Sequence, residues 1–351
     1  MVNHSPLRIL KPGIIAAAIV LLSACASDVR EGALTSTRGF PVWPATPAQL
    51  RLAFLASLSR PQDLGIKKGI AQELGELLTG PKEVRLVRPM AVVTDSAGRI
   101  YVADPGMRGV HLFDTANNSY RLIQRPDRQP LPSPVALAIG PGGAVYITDS
   151  RLSAVFVVAP GSREAVQVPL QGLLARPTGL AVEPASGRLY LVDTGSHEIK
   201  VYARDGALLQ RIGRRGTGEG EFNFPTMIWL DGEGDLLVAD SMNFRIQVFD
   251  RGGGYLRNFG VVGAGAGQHA QPKGIATDSR GHIYVVDTLL HSLQIFGEKG
   301  EFLLTVGRRG TEAGEFWLPA GIFIDSHDTI YIADSYNQRV QILRHVGGDA
   351  P

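Results

Sequence analysis

Cysteine is almost missing: Cys25 stands alone among 351 residues, so no intrachain disulfide and no cysteine-based metal cluster can form. Net charge is almost missing too. The formal +2 rests on Arg8 and Lys11, and without them 33 basic residues face 33 acidic ones. A chain so balanced lacks the electrostatic drive of a phosphate-backbone binder, and nucleic acid is not expected as a partner. Long apolar runs are missing as well, since the run at residues 14–22 is too short to span a bilayer. Glycine and proline are plentiful, 42 and 22, and they are spread between β-rich segments. That distribution marks many turns and predicts an all-β protein.

Arg8 and Lys11, followed by the apolar run, have the layout of a secretory signal over residues 1–24. The stretch Leu22-Ser23-Ala24-Cys25 resembles the bacterial lipobox. That resemblance implies cleavage before Cys25 and covalent lipid on it, with a palmitate-type chain among the acyl groups. The alternative is an ordinary cleavage site with an incidental cysteine. Two or three acyl chains, at about 0.8 kcal/mol per buried methylene, hold a protein durably at a bilayer. Ala26 and Ser27 stand where the family pattern has an aspartate for inner-membrane retention, which points to the outer membrane, facing the periplasm or the surface. Residues 25–49, with Pro41, Pro44 and Pro47 and little apolar periodicity, read as a flexible tether.

From residue 88 onward one unit is repeated six times. Its register is set by Asp104, Asp149, Asp193, Asp240, Asp287 and Asp334, spaced 45, 44, 47, 47 and 47 residues apart. A period near 45 is the length of a four-stranded propeller blade. Three residues before each aspartate stands a tyrosine, or Leu237 in the fourth copy. Six before it stands a glycine, or Asp328 in the last, where a tight turn needs positive φ. Six and eight residues after each aspartate all twelve positions are apolar, predicting a third strand with a buried face. A proline lies 15 residues before each aspartate, 16 in the third copy, and marks the entry to a first strand. Blades therefore start near residues 88, 133, 176, 224, 271 and 318 of a propeller spanning 50–347.

The pattern resembles the NHL repeat over roughly residues 88–345, most closely at 225–249, with Ala239-Asp240-Ser241, Asn243 and Arg245, and at 319–342, with Ala333-Asp334-Ser335, Asn337 and Arg339. The resemblance implies a six-bladed β-propeller of four-stranded antiparallel blades. It does not imply one function, because that family includes scaffolds, nucleic-acid binders and enzymes. The last copy has three strands, and residues 50–58 are predicted to supply the fourth and close the ring. Residues 67–78 place Ile70, Leu74, Leu77 and Leu78 at helical spacing and predict a short amphipathic helix.

The segments two to five residues after each proline, predicted to line the channel, carry no titratable side chain, so neither acid–base catalysis nor a hard metal is expected there. Similar six-bladed enzymes, calcium lactonases and amidating lyases among them, use acidic, amide or histidine ligands around that mouth, and no such set is evident. Variety lies in the rim loops, where Arg108, His197, Phe244, Lys273 and His291 are the candidate ligand-binding residues. His197 and His291, two blades apart, with His269 as a third, are weak candidates for a metal; the plainer reading is exposed loop histidines. The expected function is a lipid-anchored envelope scaffold that binds a protein or extracellular ligand through its rim, without cofactor. A periplasmic metal-dependent hydrolase or lyase is the alternative, and a single-stranded nucleic-acid binder the second.

Overall fold

The computed structural model describes residues 41–44, 51–67 and 83–346. The signal segment, Cys25, most of the tether and all but the first residue of the predicted helix 67–78 lie outside the described residues. Six antiparallel sheets stand in a ring, each copy of the repeat forming one blade. The third blade is typical: Pro177–Val182, Leu189–Asp193, Glu198–Tyr202 and Leu208–Ile212 follow one another from the axis outward. The first strands touch their counterparts in both neighbouring blades, and the last touches the first.

The predicted turn residues do what their position requires. Gly98, Gly143, Gly187, Gly234, Gly281 and Asp328 all have positive φ, between 57° and 85°. Three of the tyrosines also pin this hairpin, because the hydroxyls of Tyr101, Tyr284 and Tyr331 donate to Asp95, Asp278 and Asp325 on the same turn. Close crowding at the axis explains the small residues there. A Cβ on Gly179 would stand 2.6 Å from Met227 Cα, and one on Gly321 2.5 Å from the Met90 carbonyl oxygen.

The ring closes as the sequence predicts. Leu52–Leu58 pairs antiparallel with Arg339–His345 as the fourth strand of the sixth blade. Leu52 and Leu58 are fully buried, each worth about 1.5–3 kcal/mol of transfer free energy. The tether expectation needs one correction, since Val42–Trp43 adds a short fifth strand outside Leu52–Leu58. A second correction concerns the third strands, which are buried on both faces. The face opposite the apolar pairs carries buried His111, Phe156, Lys200, Gln247, Gln294 and Gln341, one per blade.

Four of those six residues, His111, Lys200, Gln247 and Gln341, stand against the repeated aspartates, all fully buried, while Gln294 donates to the Gln268 carbonyl. Lys200 Nζ donates to Asp193 Oδ2 at 2.6 Å, and Gln247 and Gln341 donate to Asp240 and Asp334. Each carboxylate also takes backbone N–H donors. Asp149 accepts from Ser133, Arg151 and Leu152, and so ties the loop entering its blade to the turn leaving its second strand. Burial alone would raise Asp193, but the Lys200 ammonium and the Ala175 and Arg176 N–H groups hold it below the ordinary carboxylate range. Asp240 has similar donors, yet burial prevails and its carboxyl is raised.

Candidate functional site: the loop face and the channel mouth

The proline that opens each first strand pairs with the aspartate that ends the second, as Pro134 with Asp149 and Pro272 with Asp287. The loops entering each blade and the loops joining second to third strands therefore share one face of the ring. Arg108, His197, Phe244 and His291 occupy equivalent places on it, with Ser153 and Gln338 completing the set. All six have left-handed backbone, φ between 50° and 57°.

The structure does not bring the five rim candidates together. Arg108, His197, Phe244 and His291 belong to blades 1, 3, 4 and 5, while Lys273 lies at the axis. Each histidine has a local structural role. His197 Nδ1 accepts from the Phe224 N–H at 3.2 Å, and His291 Nδ1 from the Leu318 N–H at 3.1 Å, joining one blade to the next. Those N–H groups are not taken by Asp240 and Asp334, whose partners are others. Asp240 takes Asn223 N on one oxygen and Asn243, Arg245 and Gln247 on the other. Asp334 repeats this with Trp317, Asn337, Arg339 and Gln341. His269 is fully buried against Phe296, in the linker position that Phe222 and Phe316 hold in other blades. Among the described residues no three His, Cys, Asp or Glu side chains are grouped to hold a metal.

Two features escaped the sequence reading. The first is a set of hydroxyl pins in the residue after four of the six aspartates. Thr194, Ser241, Thr288 and Ser335 donate to the carbonyls of Pro225, Pro272, Pro319 and Pro89, the proline of the following blade in each case. Ser335 thereby joins the last blade to the first. The signal was the repeated Asp-Ser and Asp-Thr pair.

The second feature is the channel mouth itself. A cavity of about 140 Å³ is lined by all six blades, among them Met90, Val135, Thr178, Thr226, Lys273 and Ala320, the residues following each proline. Three residues further along their strands, Trp229 and Phe323 meet edge-on, ring centroids 6.0 Å apart. They come from blades 4 and 6, which are not neighbours, so they meet across the axis and floor the cavity. Lys273 therefore belongs to the channel and not to the outer rim. Burial, with the nearby charges of Arg88 and Arg176, pushes its ammonium down to about 8. Beside the mouth, an open cleft of about 420 Å³ is lined by Val87, Arg88, Ser133 and Arg151.

The loop face is chemically divided. Blades 1 to 3 present Arg88, Arg108, Arg151 and Arg176, whose side chains make no hydrogen bond or ion pair with any described residue. Blades 4 to 6 present Phe224, Met242, Leu289, Trp317 and Tyr336, each 37–55% exposed, against Val87 and Leu152 alone of this kind beside the arginines of blades 1 and 2. Trp317 and Tyr336 lie 5.7 Å apart, and the Arg309 guanidinium sits over Trp317.

Residues 174–202 match the NHL repeat, and residues 277–342 match a family described as a 6-bladed beta-propeller. No curated protein is significantly similar in sequence. Solved structures share the fold at low identity. An auxiliary nutrient binding protein from Bacteroides thetaiotaomicron is 13% identical with a TM-score of 0.59, over 74% of this chain and 70% of that one. A gluconolactonase from Xanthomonas campestris is 13% identical with a TM-score of 0.58, over 85% and 90%. A virginiamycin B lyase from Staphylococcus aureus is 15% identical with a TM-score of 0.54, over 74% and 96%.

Proposed function

For a six-bladed propeller of NHL repeats with so divided a loop face, we propose a docking role: a lipid-anchored scaffold of the cell envelope that binds another envelope protein through that face. The observation that carries this reading is the exposed set Phe224, Met242, Leu289, Trp317 and Tyr336 on three consecutive blades. Large apolar side chains gathered on one side of a soluble fold mark an interaction surface. The arginines of blades 1 to 3 fix the complement, a partner whose apolar contact is bordered by acidic residues. The lipobox-like stretch ending at Cys25 supplies the anchor, and proline-rich residues 25–49 supply reach from an outer-membrane surface.

Affinity capture from membranes tests both halves. The full chain is expected to retain one envelope protein, and the Trp317→Ala/Tyr336→Ser double variant to lose it at unchanged thermal stability. Cys25→Ser is expected to leave the membrane fraction. Capture unaffected by the double variant would remove the docking surface, and a membrane-bound Cys25→Ser chain would remove the anchor.

A further inference from the structure

The channel mouth holds a cation that the fold has left without an anion. Lys273 lies partly buried in the wall of the cavity, yet its ammonium makes no hydrogen bond or ion pair with any described residue. The fold treats its other enclosed lysine differently: Lys200 has Asp193 at 2.6 Å and donates also to the Leu173 carbonyl. Removing a charge from water costs several kcal/mol unless it is paired, and Lys273 also meets repulsion from Arg88 and Arg176. Its lowered pKa, about 8, reflects both penalties. Two mutually repelling cations, Lys273 and Arg176, line a cavity whose wall contains no carboxylate, and Arg88, in the wall of the adjoining cleft, lies near enough to repel Lys273 as well.

The nearest acids cannot turn to meet them. Asp104 holds the N–H groups of Val87, Arg88, Gly106 and Met107, and Asp193 those of Ala175 and Arg176 together with Lys200. Through these bonds the carboxylates fix the backbones of Arg88 and Arg176 and leave their guanidinium groups free. The arrangement is also directional. Arg88 opens blade 1, Arg176 opens blade 3 and Lys273 stands in blade 5, so cations from alternate blades surround the axis. The Trp229–Phe323 pair lies across the axis on the side away from the loop face, so the mouth is a shallow cup facing the loops.

We propose that this cup binds a tetrahedral oxyanion, the phosphate or sulfate group of a small ligand, between Lys273 and Arg176, with Arg88 reaching it from the adjoining cleft. Such a group offers several acceptor oxygens to the ammonium of Lys273, and guanidinium forks suit it by charge-assisted hydrogen bonding. A planar monoanion such as acetate would neutralise less of the charge and meet fewer donors. The site is separate from the apolar half of the face and stands whether or not a protein docks there.

The test uses the Cys25→Ser chain, with inorganic phosphate, sodium sulfate and sodium acetate as probes at matched ionic strength, read by calorimetry and thermal shift. Sulfate and phosphate are expected to bind at least tenfold more tightly than acetate, and the ratio of the two tells which ester the cup prefers. Lys273→Met and Arg176→Gln should each weaken sulfate binding at least tenfold, while Arg188→Gln, at an opposite-face hairpin, should not. Sulfate keeps its charge across the range, so its affinity should be level near pH 6–7 and fall above about pH 8 as free Lys273 deprotonates. Without anion, Lys273→Met should melt higher than the parent chain, because a desolvated and repelled charge is gone, and its sulfate-induced shift should vanish. Absence of sulfate binding at 10 mM to the folded chain, equal binding by Lys273→Met, or acetate binding as tightly as sulfate would each overturn the proposal.

Discussion

Lys200→Met isolates what one buried ion pair contributes to a blade. Asp193 is fully buried and Lys200 nearly so, at 2.6 Å, and the lysine also satisfies the Leu173 carbonyl. Methionine fills much the same volume and removes the charge. Asp193 would keep the N–H groups of Ala175 and Arg176 at 3.0 and 2.7 Å, so its charge stays partly solvated by the protein. Breaking a buried pair costs about 3–5 kcal/mol, and those two remaining donors place this case near 3 kcal/mol. The pH dependence carries the sharper sign. In the parent chain the Asp193 carboxyl is held below its ordinary value, so its contribution is complete above about pH 4 and fades as pH falls through the lower folded value. In Lys200→Met burial is no longer opposed by the ammonium, and the folded value should rise above the unfolded one. The gap between the proteins should therefore already be open at pH 4 and widen further toward pH 7, closing only as pH falls below 4. Lys200→Gln, which copies Gln247 and Gln341 of other blades, should recover part of the loss. Urea unfolding from pH 4 to 7 measures all three chains, and a Lys200→Met cost below about 1 kcal/mol at pH 7, or one independent of pH, would refute the reasoning.

Gly321→Ala should lose about 2 kcal/mol or more, because its Cβ would stand 2.5 Å from a backbone oxygen, whereas Gly232→Ala, with nothing within 4 Å, should be near neutral by thermal melting. Ser335→Ala removes the hydroxyl that donates to Pro89 across the ring closure, at a cost of about 1–2 kcal/mol, and hydrogen exchange should accelerate most in Leu52–Leu58 and Arg339–His345. His291 is lowered from its ordinary value by burial and by Arg309, and its neutral Nδ1 accepts the Leu318 N–H. Its contribution is thus complete above about pH 6.5 and lost as pH falls through the folded value, so His291→Gln should flatten the stability profile between pH 6.5 and 5. Zinc should change the melting of neither the parent chain nor His291→Gln; a zinc-dependent rise in the parent alone would revive the metal reading.

Blade number, strand entry, turn positions and ring closure were legible because each is a backbone demand that all six copies must meet. A positive φ six residues before the aspartate, or a proline at a strand entry, leaves the same mark every time. Burial on the second face of the third strands was obscured because polar Lys200, Gln247 and Gln341 look solvent-facing until the carboxylates they serve are placed beside them. Lys273 was assigned to the rim for a related reason. Sequence gives its distance from Pro272 but not the closing of the channel by Trp229 and Phe323, which turns a loop position into the wall of a cup.

Internal repetition separates what the fold requires from what it permits. Where six copies agree, as at the aspartates, the packing explanation suffices. The positions flanking each proline disagree: Arg88, Ser133, Arg176, Phe224, Gln271 and Leu318 precede it, and Met90, Val135, Thr178, Thr226, Lys273 and Ala320 follow it. Four of the preceding residues, Arg88, Ser133, Arg176 and Gln271, give their N–H to the aspartate of their blade, while Phe224 and Leu318 take left-handed backbone and give theirs to His197 and His291. Were the side chains drifting freely, charge and apolarity would be scattered around the ring. Instead unpaired arginines gather over blades 1 to 3 and most of the exposed aromatic and aliphatic groups over blades 4 to 6, while an unpaired ammonium stands at the axis. Such sorting leaves repulsion and exposed apolar surface unrelieved within the chain itself. A partner and an anion that relieve them account for the pattern, and the loop face is where substitutions should alter binding while leaving the blades intact.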